Sequence, residues 1–289
     1  MSFALFTDCS ANLPGRLLAE MDIRVLPCVY TVDGVNVEYD GNIENFDPHS
    51  YYGMLQSGKT VTTTLLNPQL FMDHFRPALE QGLDVIYVGL SSGVSGTFQA
   101  SRMAAAQLQE EFPDRTVRMV DSLGAGLGTG LLTLRGADLR KEGRSADETA
   151  DLLERERMDL CEFFIVGDLS FLHRTGRVSA ATALLGNALN IKPILRGDET
   201  GHIVSCAKPR GRKKAIDALV ERYQTRAVDP RNCRVAISHG DCPEDAQLLA
   251  ERICAIAPPK ELILCPHEPF TGAHVGPGML ALFFFGEGR

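Results

Sequence analysis

Short apolar runs alternate with helix-like segments through the first half of this 289-residue chain. The runs over 3–8, 84–90 and 116–122 have the length and composition of buried strands. Each run is followed by a polar or glycine-rich loop and then by a helical pattern, as over 97–112 and 124–142. This repetition predicts a mostly parallel sheet with flanking helices, because parallel strands are joined by helical crossovers.

Two further helices in this half are indicated by their first residues. Asp47-Pro48 and Asn67-Pro68 each place a capping side chain directly before a proline, which is favoured in the first turn of a helix. They predict helices over 46–58 and 67–82. The apolar segment 23–32 is predicted to form one continuous strand.

The second half of the chain has a less regular pattern. We predict a helix of small residues over 179–189 and a hairpin over 191–210 with its turn at 198–201. A strand followed by a turn is predicted over 161–172, and further strands at 233–240, 261–268 and 278–285. These elements indicate a second α/β domain with a mixed sheet. The predicted boundary gives an N-terminal domain over 1–158 and a C-terminal domain over 159–289.

Charge and composition disfavour several classes of function. The formal net charge is −8 and the isoelectric point is near 5.4, which argues against a general nucleic-acid-binding protein. The apolar stretches are too short to span a bilayer and the first residues lack a basic signal-peptide region, so we expect a cytoplasmic protein. The eight cysteines show no metal-binding spacing, and we expect them to be reduced, mostly buried thiols. No metal or cofactor site is indicated.

The loop over 89–100 is the most informative short segment. It holds Ser92 and Ser95 among glycines, including Gly96, between a predicted strand and a predicted helix. Glycines allow close approach of a ligand, and the first N–H groups of a helix favour an anion. Simple capping of the helix by Ser95 or Thr97 is the alternative. The loop matches neither a Walker A motif, nor a dinucleotide-binding fingerprint, nor a G-x-S-x-G elbow.

Two other segments are candidates for the same site. Thr62, Thr63 and Thr64 stand together before two leucines, either as a strand end or as the wall of a half-polar, half-apolar site. His274 lies in a segment rich in glycine and proline, which we predict to be a loop between strands. Such a loop presents an imidazole on a fixed backbone, although a lone histidine is more often a structural hydrogen-bonding group.

Basic residues cluster in two places in this acidic chain. The segment 172–181 contains Arg174 and Arg177, and the segment 208–215 has five basic residues. Solvated helix starts explain part of both clusters. The functional alternative is a surface that faces phosphate or docks a partner.

Taken in order, these segments resemble the DegV family of bacterial lipid-binding proteins. The matching motifs span nearly the whole chain: TDCSANLP (7–14), TTTLLNPQLF (62–71), LSSGVSGTFQA (90–100), VDS (120–122), FLHRTGRVS (171–179), NIKPIL (190–195), KPRGRKKA (208–215) and HVGPG (274–278). The resemblance implies a two-domain DegV-like α/β fold that binds one long-chain fatty acid between the domains. The protein itself would be a non-catalytic carrier without a cofactor.

The resemblance also implies roles for particular residues. The fatty-acid carboxylate would be held by Thr63, Ser95 and His274, and the acyl chain would lie in an apolar tunnel. Neighbouring positions that would contribute are Thr62, Thr64, Ser92 and Gly96. Some family members present the bound fatty acid to a partner kinase that forms an acyl phosphate. The arginines matching the segments that dock this kinase are Arg174, Arg177, Arg210 and Arg212.

Two other functions are compatible with the same residue types. Ser95 and His274, with Asp8 or Asp121 orienting the imidazole, would suit a serine hydrolase or acyltransferase, although a nucleophile elbow is missing. A lipid-sensing regulatory protein without a kinase is the second alternative. As a lipid carrier, the protein would contact membranes only transiently.

Overall fold

The computed structural model describes residues 3–180, 182 and 190–289. The predicted small-residue helix over 179–189 falls mostly on positions outside these described residues.

The first half of the chain forms the predicted parallel sheet. Its strands are β1 (Phe3–Asp8), β2 (Ile23–Leu26), β6 (Asp84–Gly89) and β7 (Val117–Asp121), in the order β2-β1-β6-β7. All three pairings are parallel. The helices of this half are α1 (Gly15–Glu20), α2 (Pro48–Gln56), α3 (Pro68–Glu80), α4 (Thr97–Glu111), α5 (Leu127–Lys141) and α6 (Ala146–Glu156).

The predicted single strand over 23–32 is wrong, because it divides at Pro27 into β2 and a separate strand, β3 (Cys28–Val32). Proline has no N–H to donate to a strand ladder, so the chain leaves the parallel sheet there. With β4 (Val35–Tyr39) and β5 (Val61–Thr63), β3 builds a small antiparallel sheet in the order β4-β3-β5. This second sheet carries the threonine run.

The second half forms the predicted mixed sheet. Its strands are β8 (Leu160–Ile165), β9 (Ile194–Gly197), β10 (Ile203–Ala207), β11 (Arg234–His239), β12 (Glu261–Pro266) and β13 (Leu280–Phe285). Their order is β10-β9-β8-β13-β11-β12, and among these pairings β11–β12 is parallel while the others are antiparallel. The described helices are α7 (Ser170–Arg174), α8 (Arg212–Arg226), α9 (Pro243–Ile256) and α10 (Pro269–Val275).

The apolar core joins the two halves of the chain. One cluster of buried side chains includes Leu5 of β1, Leu131 of α5 and Phe283 of β13. The strands of the parallel sheet come before residue 158 and those of the mixed sheet come after it. The apolar core is nevertheless continuous between the two sheets. The two-domain division stays a prediction. Within the part of the chain that the structure describes, every helix is too short or too polar to cross a bilayer.

The expectation of reduced thiols is wrong for two of the eight cysteines. Cys9 and Cys28 form a disulfide, with their Cα atoms 6.1 Å apart. Cys9 directly follows β1 and Cys28 begins β3, so the bond fastens the small antiparallel sheet to the parallel sheet. The 19-residue separation of the two cysteines does not by itself predict that they pair, because their contact depends on how the two sheets pack.

Removing this disulfide is expected to reduce stability by about 3 kcal/mol, since a closed loop of this length restricts the unfolded chain by that amount. Denaturant unfolding of the Cys9→Ser/Cys28→Ser variant measures the loss, with Cys254→Ser as a control on a free, half-buried cysteine. Thiol titration of the unfolded, unreduced protein should find the six free cysteines described in the structure. Eight reactive thiols would show that the bond is absent in solution.

Candidate functional site

Thr63, Ser95 and His274 come together although they are far apart in the sequence. They line one cavity of about 150 Å³, here called the outer cavity, together with Arg177 and the exposed side chain of Leu65. The Thr63 Oγ1 and His274 Nε2 atoms are 2.9 Å apart. The structure thus places three sequence-predicted residues around one space.

Of the three consecutive threonines, only Thr63 lines the outer cavity, and strand geometry explains why. Thr63 lies opposite Tyr30 in the pairing of β5 with β3 and is half-buried. Successive side chains of a strand point to opposite faces, so Thr62 is exposed, and Thr64 is exposed just beyond the strand end. Neither Thr62 nor Thr64 lines the outer cavity.

Ser95 lines the outer cavity but is not the N-cap of α4, which is Gly96 and has no side-chain cap. The Ser95 Oγ accepts a hydrogen bond from the Thr97 backbone N–H at 3.2 Å, a turn contact just before the helix. Gly96 lines the same cavity. Ser92 is exposed and points elsewhere; its backbone N–H donates to Asp121 Oδ1 at 3.2 Å.

The prediction that His274 lies in a loop is wrong, because it belongs to the last turn of α10. The sequence signal for this helix is the pair Glu268-Pro269. Glu268 precedes Pro269 as Asp47 precedes Pro48, and its carboxylate accepts hydrogen bonds from the first N–H groups of α10. This cap fixes the start of the short helix that carries the imidazole.

A buried polar chain supports the same helix. His267 Nδ1 lies 3.0 Å from Ser238 Oγ, and its Nε2 lies 2.7 Å from Thr271 Oγ1, which in turn bonds to Glu268. Burial raises the pKa of Glu268 to about 7 and lowers the pKa of His267 to about 3. His267 is therefore a neutral imidazole at neutral pH. Sequence reasoning missed this chain because its members meet only through tertiary packing.

The environment of His274 disfavours its charged form. Burial, followed by the positive charges of Arg177 and Arg174, lowers its pKa to about 4. Its Nδ1 atom is buried without a hydrogen-bond partner among the described residues. A neutral imidazole beside a hydroxyl group offers hydrogen bonds to a ligand without adding a charge.

We expect the His274 imidazole to stay neutral down to about pH 4 in the protein without ligand, as measured by NMR titration of its ring protons. The His274→Asn variant assigns the resonance. Because its folded pKa lies below the ordinary value of 6.5, the unfolded chain takes up the proton first. His274 therefore reduces stability as pH falls from about 6.5 to 4. A midpoint near 6.5 in the folded protein would contradict this environment.

The residues proposed for a hydrolase do not assemble into a triad. Ser95 Oγ bonds to Thr97, while His274 Nε2 faces Thr63. The carboxylate of Asp8 is bonded to Ser10 and Tyr87, and that of Asp121 accepts backbone N–H groups. Among the described residues, no carboxylate reaches the free Nδ1 of His274.

The four predicted docking arginines are not equivalent. Arg177 donates from Nε to the Val94 carbonyl at 3.2 Å and lines the outer cavity, whereas Arg174 is exposed and stacks over Phe171. Arg210 is exposed. The side chain of Arg212 instead makes hydrogen bonds within the fold.

Arg212 supports the loop that follows His274. Its Nε donates to Asp245 at 2.8 Å and its Nη1 donates to the Gly278 carbonyl at 2.7 Å. These bonds tie the start of α8 to the end of the HVGPG segment. Arg212 is therefore placed to hold the site together rather than to meet a partner.

A second cavity of about 70 Å³ lies next to the first and is here called the inner cavity. The two cavities share wall residues, among them Val94, Ala125 and Thr271. The remaining inner wall exposes mainly apolar surface, from half-buried Phe164 and from buried Met279, Ala281 and Phe283. The arrangement places a cavity with polar side chains beside a mainly apolar one.

A larger cavity, of about 870 Å³, lies elsewhere, between α5, α6 and the segment before β11. Charged side chains line it, and several of them pair with one another, as Arg135 does with Glu156 at 2.8 Å. Size alone therefore does not identify the site. Within the described residues there is also no group of three or more potential metal ligands.

Comparison with known proteins gives one consistent result. A family model for uncharacterised proteins of the DegV family matches residues 2–287. A DegV domain-containing protein of Clostridium perfringens is 36% identical over 286 residues, which cover 99% of this chain and 98% of that protein.

Solved structures agree with this match. A fatty-acid-binding DegV family protein of Thermus thermophilus superimposes with a TM-score of 0.88 at 29% identity, covering 99% of this chain and 100% of that chain. DegV of Bacillus subtilis, a fatty acid binding protein, gives a TM-score of 0.82 at 28% identity, with coverage of 99% and 100%.

Proposed function

Because this chain belongs to the DegV family, we propose that it binds one long-chain fatty acid. The carboxylate lies in the outer cavity against Thr63, Ser95 and His274, and the acyl chain extends into the inner cavity. The observation that carries this proposal is that a cavity with polar side chains and a mainly apolar cavity share wall residues. These two environments match the two ends of a fatty acid.

The free energies of methylene burial and of hydrogen bonding assign different roles to the two ends of the fatty acid. Burial of a methylene contributes about 0.8 kcal/mol, so roughly fourteen methylenes contribute about 11 kcal/mol before the cost of association. A hydrogen bond to a charged group contributes about 1.5–3 kcal/mol net. The acyl chain therefore supplies most of the affinity, and the hydroxyl and imidazole groups fix the orientation.

The two cavities are small for this ligand. Their volumes of about 150 and 70 Å³ lie below the roughly 300 Å³ at which small-molecule pockets usually begin. We therefore expect the walls to move apart when a chain enters. Part of the inner wall is the β9–β10 hairpin, whose turn contacts the parallel-sheet half through the Ser91 Oγ–Gly201 carbonyl bond of 3.0 Å.

The finer proposal is that the bound carboxylate is presented to a partner kinase for acyl-phosphate formation. Exposed Arg174 and Arg210 support a docking surface, with Arg174 close enough to His274 to influence its charge. The absence of a buried lysine from the described outer-cavity wall leaves the carboxylate held by neutral donors and Arg177. Measurement of acyl-phosphate formation by a candidate kinase, with and without this protein, tests the step.

Lipid extraction followed by mass spectrometry tests the binding proposal itself. Purified protein should carry close to one acyl chain per molecule, and delipidated protein should take up added hexadecanoate with the same stoichiometry. Protein that carries no acyl chain and binds none on addition would rule the proposal out. A serine-reactive covalent probe, which should not label Ser95, separates the carrier from a hydrolase.

A further inference from the structure

The inner cavity is not apolar along its whole wall. Glu162 of β8 lines it, opposite the apolar side chains of β13, and its carboxyl group is buried. His267 lines the same cavity. A buried carboxyl group in a space suited to an acyl chain is unexpected, because burial of a charge is costly and a methyl group offers it no hydrogen bond. Burial raises the pKa of Glu162 to about 7, although the positive charge of Arg289 opposes this shift.

The fold holds Glu162 in place from one side. Its Oε2 accepts a hydrogen bond from Arg289 Nη2 at 3.3 Å, and its Oε1 accepts one from the Ala125 backbone N–H at 3.3 Å. Gly124 and Gly128 have no side chain where the carboxylate lies, and a Cβ at either position would collide with Oε1. The group therefore lies against the start of α5, where the helix dipole favours a negative charge.

These contacts leave part of the hydrogen-bonding capacity of Glu162 unused. A carboxylate accepts about four hydrogen bonds, and the described residues supply two, both at 3.3 Å. His267 differs, because both of its ring nitrogens already have hydroxyl partners. Glu162 thus retains acceptor capacity for a ligand in the inner cavity.

We propose that the inner cavity recognises an acyl chain bearing a hydroxyl group at its distal end, with Glu162 accepting the hydrogen bond from that hydroxyl. The inference rests on the proposed function and specifies its ligand class as an ω-hydroxy fatty acid. A hydroxyl group satisfies the buried acceptor, whereas a terminal methyl leaves it without a donor. Above about pH 7, where Glu162 is charged, it repels a second carboxylate at that end, so a dicarboxylic acid is disfavoured.

Matched pairs of ligands test this assignment on the delipidated protein. Dissociation constants are measured at pH 8.5, where Glu162 is charged, for ω-hydroxy chains of twelve, fourteen and sixteen carbons, each against the unsubstituted chain of the same length. We expect at least one hydroxylated chain to bind about tenfold more tightly than its partner, which corresponds to one hydrogen bond to a charged group. Weaker or equal binding of the hydroxylated chain at all three lengths would overturn the proposal, as would tighter binding of the matching dicarboxylic acids.

Two variants assign the preference to Glu162. The Glu162→Met/Arg289→Met variant removes the buried pair together, and it should lose the hydroxyl preference while retaining the unsubstituted chains. Glu162→Gln keeps an acceptor oxygen without the charge and should retain only part of the preference. Because the readout is a ratio of two affinities, a change in stability affects both ligands alike. A preference that survives the double variant would overturn the role of Glu162, whereas failure to bind any chain in the parent protein would instead reject the proposed function.

Discussion

Replacement of Ala281 by phenylalanine is expected to reduce fatty-acid affinity more than 100-fold. Ala281 lies on β13 between Met279 and Phe283, and all three line the inner cavity. A phenyl ring at this position fills a space of about 70 Å³ and leaves the acyl chain in water. Since each methylene excluded from the cavity forfeits about 0.8 kcal/mol, the loss of four already exceeds 100-fold. Titration calorimetry with hexadecanoate measures the change.

The control measurements must distinguish a blocked inner cavity from an unfolded protein. A larger side chain in a packed interior costs about 1–3 kcal/mol of stability, so denaturant unfolding of Ala281→Phe is measured alongside binding. Ala281→Leu, a smaller intrusion, should bind with intermediate affinity. Ala105→Leu provides the matched variant, since Ala105 is a buried alanine of α4 that lies outside both cavities. Undiminished binding by a folded Ala281→Phe protein would show that the acyl chain lies elsewhere.

Loss of the hydroxyl group of Thr63 is expected to weaken fatty-acid binding by about 10-fold, and loss of both Thr63 and Ser95 hydroxyls by about 100-fold. Thr63→Val keeps the shape of the side chain on β5, and Ser95→Ala is a minimal truncation. Each removes one hydrogen bond to a charged group, which contributes about 1.5–3 kcal/mol. Fluorescent fatty-acid displacement measures both variants.

The threonine run supplies its own control. Thr62→Val makes the same chemical change one residue earlier, on an exposed side chain that does not line the outer cavity. It should leave the affinity unchanged, and Thr63→Ser should restore most of the binding lost in Thr63→Val. Equal losses in Thr62→Val and Thr63→Val would contradict the selection of Thr63 by strand alternation.

Features set by neighbouring residues were predictable from the sequence. Asp47 and Asn67 cap α2 and α3 as expected, because a capping side chain and the proline after it act within one turn. The parallel order of the first sheet also followed from local alternation of strands and helices. The family resemblance named Thr63, Ser95 and His274, and the structure brings them to one cavity.

Features set by distant contacts were not predictable in this way. Glu162 became notable only through its packing against α5 and its pairing with Arg289, 127 positions away. The Cys9–Cys28 bond likewise depends on the division of one expected strand at Pro27, which sends β3 into another sheet. Local patterns cannot report such contacts, because each requires the relative placement of two sheets or of a strand and a helix.

A crystal structure of the protein with a bound long-chain fatty acid tests the central claim most directly. We expect one carboxylate within hydrogen-bond distance of Thr63 Oγ1, Ser95 Oγ and His274 Nε2, with the acyl chain running into the inner cavity past Ala281. A fatty acid found outside these two cavities, or bound with its carboxylate at Glu162 and its methyl end at His274, would contradict the account.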